Sequence, residues 1–541
     1  MLRKLTITFI GLIFLAGLLL TGCSSSSQPD QRDAGPAGDN NRDELVLALS
    51  NTEPDEGFDP TTGWGRYGSP LFQSTLLKRD SQLKITYDLA TGYSVSDDGL
   101  TWTVEIRDDV LFSDGTPLTA EDVAYTFETA KASGSTIDLT YLDSAEAVDE
   151  YTVVFKLKHP QSTFISRLIQ MGIVPKHAHG PDYGQAPIGS GPYQFVQWDK
   201  GQQLIVTANP HYYGEKPYFQ KLTFLFLGED AAFAAAKAGQ VDIASIPPAF
   251  AKQPVPGMKL VVVDSVDNRG ISFPMVPAGQ LTTDEGFPVG NDVTADIAIR
   301  KAINVAIDRQ ELIDGILEGY GTPAYTICDE MPWWNPETVI DDGDEQEAGR
   351  ILAEAGWQDL DGDGILEKGD IQARLTLIYP SSDKLRQSLA IAVSDKLKDI
   401  GIEMQAEGKS WDEIARLSHS NPVLYGWGDQ DPLEMYNIYS SKMAGVGSYN
   451  PGFYSNPIVD EYMEQAMAAL SEEEAIQYWQ KAQWDGETGL SAKGDAPWAW
   501  LVNNQHLYLV RDNLDLGTPK IEPHGHGFPI TDNIVTWRWR E

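Results

Sequence analysis

The sequence has very little cysteine and little positive charge. Only Cys23 and Cys328 occur among 541 residues, so a disulfide network is excluded and stability must come from a buried core. Forty lysines and arginines face 79 aspartates and glutamates, which gives a net charge of -39. Because so acidic a chain repels a phosphate backbone, we expect no nucleic acid partner.

Long apolar runs are also scarce, and the one that stands out lies at the N-terminus. Residues 5–20 are mostly apolar and follow Arg3 and Lys4. This run is shorter than the ~20 residues of a membrane-spanning helix, and a positive start before it is typical of a secretory signal. No other run approaches spanning length, so we expect the rest of the chain to be soluble and extracytoplasmic.

The apolar run ends in LTGC, which resembles the lipobox of bacterial lipoproteins. We predict that residues 1–22 are a lipoprotein signal peptide and that Cys23 carries a lipid anchor; a plain signal peptide or an uncleaved anchor is the alternative. Residues 23–41 contain mainly Ser, Gln, Pro, Asp, Gly and Asn, and cannot bury enough apolar surface to fold. We expect them to form a disordered tether.

Periodicity in the remaining chain predicts strands and helices in alternation. In TWTVEI (101–106), apolar and polar residues alternate as in a half-buried strand. The stretch TAEDVAYTFETAKASG follows, in which Thr119 and Asp122 have the spacing of a capping box. Gly134 stands where a helix would end, so we predict a helix between these signals.

A second region predicts how some of the strands are arranged. IQARLTLIY (371–379) alternates like a strand, IEMQAE (402–407) resembles another, and Leu389, Val393 and Leu397 between them recur at helical spacing. A strand, a helix and a strand over about forty residues form a βαβ unit, which implies a parallel sheet covered by helices. The expected fold class is α/β, with mixed sheets flanked by helices in at least two lobes.

Motifs that mark an enzyme or a metal site are largely absent. Ser190 lies in a GSG stretch but lacks the outer glycine of a nucleophile elbow, and the chain has no HExxH motif. The pairs His177 with His179 and His524 with His526 could ligate a metal, yet on loops we expect them to be solvated. We therefore predict no catalytic residue, no metal site and no cofactor.

The stretch DLDGDGILEKGD has the spacing of a calcium loop. Asp359, Asp361 and Asp363 occupy the first, third and fifth positions, and Gly364 the sixth. Asp370 stands at the twelfth position, where the longer glutamate is preferred, and a strand follows in place of a second helix. We therefore favour an Asp/Gly turn between a helix and a strand over a calcium site.

Several long segments together resemble one known family. YDLATGYSVSDDGLTWTVEIRDDVLFSDGTPLTAEDVAYTF (87–127) is similar to the signature region of the family 5 extracellular solute-binding proteins, which are the peptide- and nickel-binding receptors of ABC importers. PIGSGPYQFVQWDKG, starting at residue 187, and IRKAINVAIDRQELIDGILEGYG, starting at residue 299, resemble later blocks. YGWGDQDPLEMYNIYSS resembles one of the last blocks, so the resemblance covers most of residues 41–466 in family order.

This resemblance implies a two-lobed periplasmic-binding-protein clamshell of type II. Lobe one would contain residues 42–265, with an inserted subdomain at about 76–186. Lobe two would contain residues 266–504, and residues 505–541 would return to lobe one. A solute would bind in the cleft, and the closed monomer would deliver it to an ABC permease with its ATPase.

The resemblance also implies ligand-binding residues in GWGDQDP. In peptide-binding members an aspartate of this block pairs with the amino terminus of the peptide, and Asp429 stands at the matching position. Asp431 remains an alternative because this block is shorter than in many relatives. A buried carboxylate is costly unless it is paired, and a peptide ammonium would provide the partner. Trp427 precedes Asp429 and is a further candidate.

Aromatic residues flanked by glycine and proline are the second group of candidates. Trp64 and Tyr67 lie in TGWGRYG, and Trp333 and Trp334 lie in MPWWNP. We expect such residues on loops at the cleft, where they could cover a peptide or stack on a sugar or a metal chelate, although a core position is equally open. Arg66, beside them, could bind a carboxylate with two hydrogen bonds.

The ligand class is left open by these patterns. A peptide is the leading hypothesis, and a nickel chelate with a small organic acid is the alternative within the family. A secreted hydrolase and a surface receptor without transport are hypotheses of other classes. The absence of an assembled nucleophile and base argues against the hydrolase.

Overall fold

The computed structural model of the protein describes residues 42–134, 137–525 and 527–540. The predicted signal peptide, Cys23 and the tether lie outside these residues. Within them, no helix combines the length and the apolar character that a membrane crossing requires.

The helices of the described residues begin and end at local sequence signals. In many of them a side-chain oxygen of Asp, Ser or Asn accepts a backbone N–H of the first turn. The helices are α1 (Ala120–Ser133), α2 (Phe164–Gln170), α3 (Glu229–Lys237), α4 (Pro248–Ala251), α5 (Ile297–Ala306), α6 (Arg309–Ile316), α7 (Glu345–Glu354), α8 (Lys384–Leu397), α9 (Trp411–Leu417), α10 (Leu433–Tyr439), α11 (Pro457–Ala468) and α12 (Glu472–Gln483).

The strands of the described residues are mostly short. They are β1 (Glu44–Ala48), β2 (Leu77–Arg79), β3 (Ile85–Tyr87), β4 (Ala90–Val95), β5 (Thr101–Ile106), β6 (Leu142–Ala147), β7 (Thr152–Leu157), β8 (Tyr193–Asp199), β9 (Gln203–Ala208), β10 (Lys221–Leu225), β11 (Ile243–Ser245), β12 (Met258–Val263), β13 (Asn268–Ser272), β14 (Leu281–Thr282), β15 (Pro288–Val289), β16 (Gly321–Pro323), β17 (Glu367–Lys368), β18 (Ile371–Gln372), β19 (Arg374–Pro380), β20 (Glu403–Lys409), β21 (Val423–Trp427), β22 (Trp498–Asn504), β23 (His506–Arg511), β24 (Leu514–Asp515) and β25 (Arg538–Trp539).

Two large mixed sheets organise the two lobes. The first lobe is built on a seven-stranded sheet in the order β12-β23-β11-β1-β10-β9-β8, in which β1 runs parallel to β10 and β11. The second lobe is built on a six-stranded sheet in the order β16-β22-β13-β21-β19-β20. Helices α5, α6, α7 and α8 cover one face of the second sheet in a shared apolar core.

A separate four-stranded antiparallel sheet, in the order β4-β5-β7-β6, packs with α1 and α2; we call this the small sheet unit. The predicted strand at 101–106 is confirmed as β5, and its alternate residues Trp102, Val104 and Ile106 are buried. The predicted helix is confirmed as α1. Both bonds of its capping box form at Thr119, and Gly134 ends it in the left-handed conformation.

The predicted βαβ unit is confirmed, with one correction. Strand β19 pairs in parallel with β20, so that Arg374 lies opposite Glu403, and α8 connects the two strands. The single strand predicted at 371–379 is interrupted at Ala373. The reason is that β18 pairs back with β17 in a hairpin, whereas β19 joins the six-stranded sheet.

The chain passes twice between the two large sheets. It leaves the first lobe after β12 at Val263 and enters the second at Asn268. It returns between Asn504, the end of β22, and His506, the start of β23. These two connections are neighbours, because the backbone N–H of Asn504 donates to the carbonyl oxygen of Asp267 at 2.9 Å.

Candidate functional site: a buried acidic cluster at the interlobe cleft

The end of β21 carries the predicted ligand block to the boundary between the lobes. Gly428 follows the strand with φ of 136°, and a β-carbon there would overlap the carbonyl oxygen of Val266. Only glycine fits such a close approach at positive φ. This turn places Asp429 between the second lobe and the first, where it lines a cavity of about 110 Å³.

Asp429 is 8% exposed and is contacted from several elements. Gln170, the last residue of α2, donates from Nε2 to Oδ1 of Asp429 at 3.3 Å. Arg66 Nε, from a loop of the first lobe, lies 3.8 Å from Oδ2. The backbone N–H of Asp429 donates to Glu434 Oε2 at 2.9 Å, and that of Gly428 donates to Oε1 at 3.3 Å.

The two buried carboxyl groups of this cluster are poorly compensated. Burial raises the pKa of Asp429, and burial together with the Asp429 charge raises the pKa of Glu434 to about 8. Arg66 is the nearest cation, but its 3.8 Å separation from Asp429 is longer than a hydrogen bond. The cluster therefore favours an additional, closer cation.

Asp431, the other predicted aspartate, occupies a different environment. Its carboxylate forms an ion pair with Arg167 of α2, and both side chains are nearly inaccessible. It also accepts the backbone N–H of Leu433 at 3.1 Å, at the start of α10. Asp431 is thus already paired, whereas Asp429 borders a cavity.

Three of the predicted aromatic residues lie within two residues of Arg66 or Asp429 along the chain. Arg66 stacks on the ring of Tyr67 at 4.8 Å, and Tyr67 lies 6.4 Å from His524. The ring of Trp427 lies 6.2 Å from that of Tyr449.

The half-buried Trp64 packs edge-on against Phe58, and its Nε1 donates to a backbone carbonyl at 2.7 Å. Residues 64–69 line a further cavity of about 300 Å³.

Trp333 and Trp334 do not join the cluster. Trp333 is 2% exposed and belongs to the core beneath α11 and α12, where Gln483 donates to its carbonyl oxygen. Trp334 is half-buried and lines a different cavity of about 720 Å³. The sequence left two positions open for these tryptophans, a loop at the cleft or the core. Trp333 occupies the core position.

The predicted histidine pairs separate in the structure. His177 is partly exposed and lies 2.7 Å from Asp114. His179 is half-buried and its side chain is 8% exposed, so the expectation that it is solvated is wrong: Tyr125 and Asp59 contact its two ring nitrogens at 2.9 and 3.0 Å. His524 contacts Asp267, and its predicted partner lies outside the described residues.

In the described part of the chain, one group has carboxylates close enough to share an ion, and it is the predicted Asp/Gly turn. Oxygens of Asp359, Asp361 and Asp363 lie within 4.8 Å of one another on exposed side chains. Each of these carboxylates accepts a backbone N–H within the turn. Strands follow the turn, as predicted, and the preference for a simple turn over a calcium site stays a prediction.

Sequence patterns did not point to several residues that shape the site. Glu434 lies in the same block as Asp429, five residues on, and the spacing of two acids there is a usable signal. Gln170 reaches the site from α2, far away along the chain. Arg269 of β13 and Arg386 of α8 flank the strand that leads to Asp429. Only the fold brings Gln170 to Asp429, and the two arginines to the strand before it.

Comparisons with known proteins place this architecture in a family. The sequence model of the bacterial extracellular solute-binding proteins, family 5 middle, matches residues 84–456. The chain is 34% identical over 497 residues to protein XP55 of Streptomyces lividans, covering 88% of this chain and 87% of that protein. It is 27% identical over 494 residues to the oligopeptide-binding protein AppA of Bacillus subtilis, covering 86% and 88%.

Solved structures agree in fold. NikZ from Campylobacter jejuni, in complex with Ni(L-His), has a TM-score of 0.75 at 24% identity, covering 92% of this chain and 99% of that chain. AppA from Bacillus subtilis, in complex with a nonapeptide, has a TM-score of 0.67 at 25% identity over the same shares. The predicted α/β clamshell is confirmed, and the chain belongs to the bacterial extracellular solute-binding proteins, family 5.

Proposed function

We propose that the protein is the receptor of an ABC importer and that it captures peptides in the cleft between its lobes. The observation that carries this proposal is the buried acidic pair Asp429 and Glu434, whose nearest cation, Arg66, is too distant for a hydrogen bond. A similar protein, AppA of Bacillus subtilis, is an oligopeptide-binding protein. The structure supplies a physical reason for the same ligand class here.

A peptide ammonium suits the pair because it brings three donors and one positive charge. Asp429 accepts one hydrogen bond from Gln170, lies 3.8 Å from Arg66 Nε and lines the 110 Å³ cavity, where an ammonium could reach it. A charge-assisted hydrogen bond in a desolvated site is stronger than one in water. The ammonium would relieve the like-charge repulsion that raises the pKa of Glu434.

The same contacts link ligand binding to the arrangement of the lobes. Arg66 belongs to the first lobe and Asp429 to the second, so a solute at this point touches both. A ligand that contacts both lobes favours the closed state through its differential affinity. We propose lobe boundaries at 265 and 504, residues 505–541 returning to lobe one, and delivery by the closed form to a membrane permease with its ATPase.

Further parts of the proposal concern the whole receptor. We propose that Cys23 is lipidated, that residues 23–41 tether the monomer to the membrane, and that the inserted subdomain spans about 76–186. We also propose that the protein performs no covalent chemistry. A short tether with more than one acyl chain would keep the receptor near its permease.

Native mass spectrometry of protein purified without refolding tests the ligand class. We expect co-purified peptide masses, and preference for peptides with a free amine over N-acetylated ones. Asp429→Asn should weaken binding of a free-amine peptide by about 2–5 kcal/mol and remove this preference. The control Asp395→Asn, at an exposed side chain, should change neither the affinity for the peptide nor the preference for a free amine.

Other results would contradict the proposal. Bound nickel in the native protein would establish the chelate alternative, and turnover of a substrate would show an enzyme. Equal binding of free and acetylated peptides would remove Asp429 as the amine ligand. His524 lies next to Tyr67, but its Nδ1 contacts Asp267, so the peptide reading is favoured over nickel ligation.

A further inference from the structure

A large cavity lies beside the two connections between the large sheets, apart from the acidic cluster. Its volume is about 720 Å³, against about 110 Å³ for the cavity at Asp429, and neither Asp429 nor Glu434 lines it. Residues 261–265, at the end of β12 and the start of the first connection, form part of its wall, as do Asn503 and Gln505 at the second connection. Small-molecule sites typically have volumes of about 300–1,000 Å³, so this cavity can hold a ligand of its own.

The wall of this cavity carries an excess of negative charge. Asp264, Asp329 and Glu330 line it, and none of them has a cationic partner within ion-pair distance in the part of the chain that the structure describes. Of the described lining residues, Lys520 alone is a lysine or arginine, and its ammonium pairs at 2.5 Å with Asp532, which lines the smaller cavity. Three carboxylates against one ammonium that is already paired favour a cationic ligand.

Asp329 determines which kind of cation suits the site. It is 4% exposed, and its carboxylate accepts four hydrogen bonds: from the backbone N–H of Tyr325 at 2.7 Å, from N–H and Oγ1 of Thr326 at 3.0 and 2.6 Å, and from Nδ2 of Asn503 at 3.3 Å. These bonds fill the roughly four lone-pair sites of a carboxylate. Burial nevertheless raises the pKa of Asp329 to about 6, so its charge is incompletely compensated.

A quaternary ammonium group matches this environment. It carries a positive charge but no N–H, so it needs no free lone pair on Asp329, whereas a metal ion or a primary ammonium does. Aromatic rings bind such groups through cation–π contacts, and the half-buried Tyr325 and Trp334 line the same cavity. The ring of Tyr325 already holds the guanidinium of Arg309 at 4.9 Å, which leaves Trp334 as the main aromatic contact.

Trp334 also provides a hydrogen-bond donor. Its Nε1 is buried and has no hydrogen-bond partner among the described residues. A buried donor without a partner carries a free-energy cost, which an acceptor on a ligand would remove. A hydroxyl group on the ligand supplies this acceptor without adding a charge.

We propose that the cavity of about 720 Å³ is a second ligand site, which binds a small quaternary ammonium alcohol. The three carboxylates compensate the charge of this ligand, the ring of Trp334 contacts its methyl groups, and Nε1 of Trp334 donates to its hydroxyl oxygen. The inference goes beyond the proposed function, because it takes no part of the peptide site as its starting point.

Calorimetric titration with choline tests the site, and the matched probe is the neutral alcohol in which carbon replaces the nitrogen. We expect choline to bind the wild-type protein at least about tenfold more tightly than this alcohol, since only choline gains the cation–π and charge interactions. Trp334→Leu should weaken choline binding about tenfold, and Glu330→Gln about threefold because Glu330 is exposed. Glu330→Gln should leave the binding of the neutral alcohol unchanged.

Two further variants locate the bound choline. Glu337→Gln, at an exposed glutamate of the same segment that does not line the cavity, should bind choline as the wild type does. Asp429→Asn should also bind choline as the wild type does, because Asp429 lines a different cavity. Asp329 is left intact in these variants, because its carboxylate accepts backbone N–H groups that hold the local fold.

Several results would overturn the inference. Absence of choline binding, or equal affinity for choline and the neutral alcohol, would show that the cavity does not compensate a positive charge. Loss of choline binding in Asp429→Asn would place choline in the peptide site, and wild-type affinity in both Trp334→Leu and Glu330→Gln would place it elsewhere on the protein. Peptide retention by the native protein is measured separately, so failure of this inference and failure of the proposed function are distinguishable.

Discussion

At the scale of single residues, Glu434 has the most informative environment in the cleft. It is 8% exposed, and its carboxylate accepts the N–H groups of Gly428 and Asp429. Burial and the charge of Asp429 nevertheless raise its pKa well above its usual range, which favours the neutral form. A carboxyl group whose pKa is raised on folding stabilises the folded state at low pH and loses that contribution as pH rises.

Glu434→Gln should therefore change how stability depends on pH. The wild-type protein without ligand should lose on the order of 2 kcal/mol between pH 5 and pH 8, and the variant should lose much less because glutamine does not ionise. Thermal unfolding across this pH range measures the difference. Glu464→Gln, at an exposed glutamate, is the control and should follow the wild type. Parallel pH profiles for wild type and Glu434→Gln would contradict this account.

The residue scale also shows where sequence reasoning stopped. The block GWGDQDP predicts Asp429 as a ligand-binding residue, and in the structure Asp429 lines a cavity. Trp333 carried the same loop signals as Trp64 but is a core residue, because α11 and α12 pack over it. Flanking glycine and proline identify a loop; they contain no information about which elements later cover it.

At the scale of elements, the connection between β21 and α10 fixes the geometry of the site. The strand ends at Trp427, Gly428 turns the chain against Val266, and Glu434 in the first turn of α10 binds back to the turn. The position of Asp429 is therefore supported by β21, by α10 and by the close contact between Gly428 and Val266. Such support limits the freedom of Asp429 before a ligand arrives.

Gly428→Ala should displace this turn and weaken peptide binding at least about tenfold, since a β-carbon at φ of 136° is strained and overlaps a backbone oxygen. Gly349→Ala is a matched control within α7, where a β-carbon has open space. That variant should stabilise the protein by about 0.5–1 kcal/mol and leave binding unchanged. Calorimetric titration and thermal unfolding measure both effects. Undiminished peptide binding by Gly428→Ala would show that the turn does not position Asp429.

Elements were also the level at which sequence prediction worked best. The helix from Thr119 to Gly134, the strand at 101–106 and the βαβ unit all depend on local periodicity and capping, and all are confirmed. The sequence pattern does not predict the break at Ala373, because the break arises where β18 pairs with β17 and does not join the six-stranded sheet. Periodicity specifies a strand's faces, and it does not specify its neighbour.

At the scale of the whole molecule, ion pairs join the parts that contribute to the cleft. Arg167 of the small sheet unit pairs with Asp431 of the second lobe, and both side chains are buried. Arg79 pairs with Glu472 of α12 in the same interface. Breaking a buried pair by removing one partner costs about 3–5 kcal/mol, because the remaining charge stays desolvated.

Asp431→Asn should therefore favour separation of the lobes, since separation returns the unpaired Arg167 to water. Small-angle scattering without ligand should give a larger radius of gyration for this variant than for the wild type. Glu354→Gln, which breaks the exposed pair with Arg350, should leave the scattering unchanged. Identical curves for wild type and Asp431→Asn would mean that this pair does not hold the lobes together.

The fold class, the family and the position of the acidic ligand block follow from the sequence alone, because these depend on local periodicity and on long ordered segments. Contacts in the folded protein were needed to show which aspartate borders a cavity, that Gln170 and Glu434 surround it, and that Arg269 and Arg386 lie side by side at Gly426. The physical reason is that charge compensation and burial are properties of contacts between distant segments. The sequence shows which charged side chains are present, and the packing of the lobes sets the distances between them.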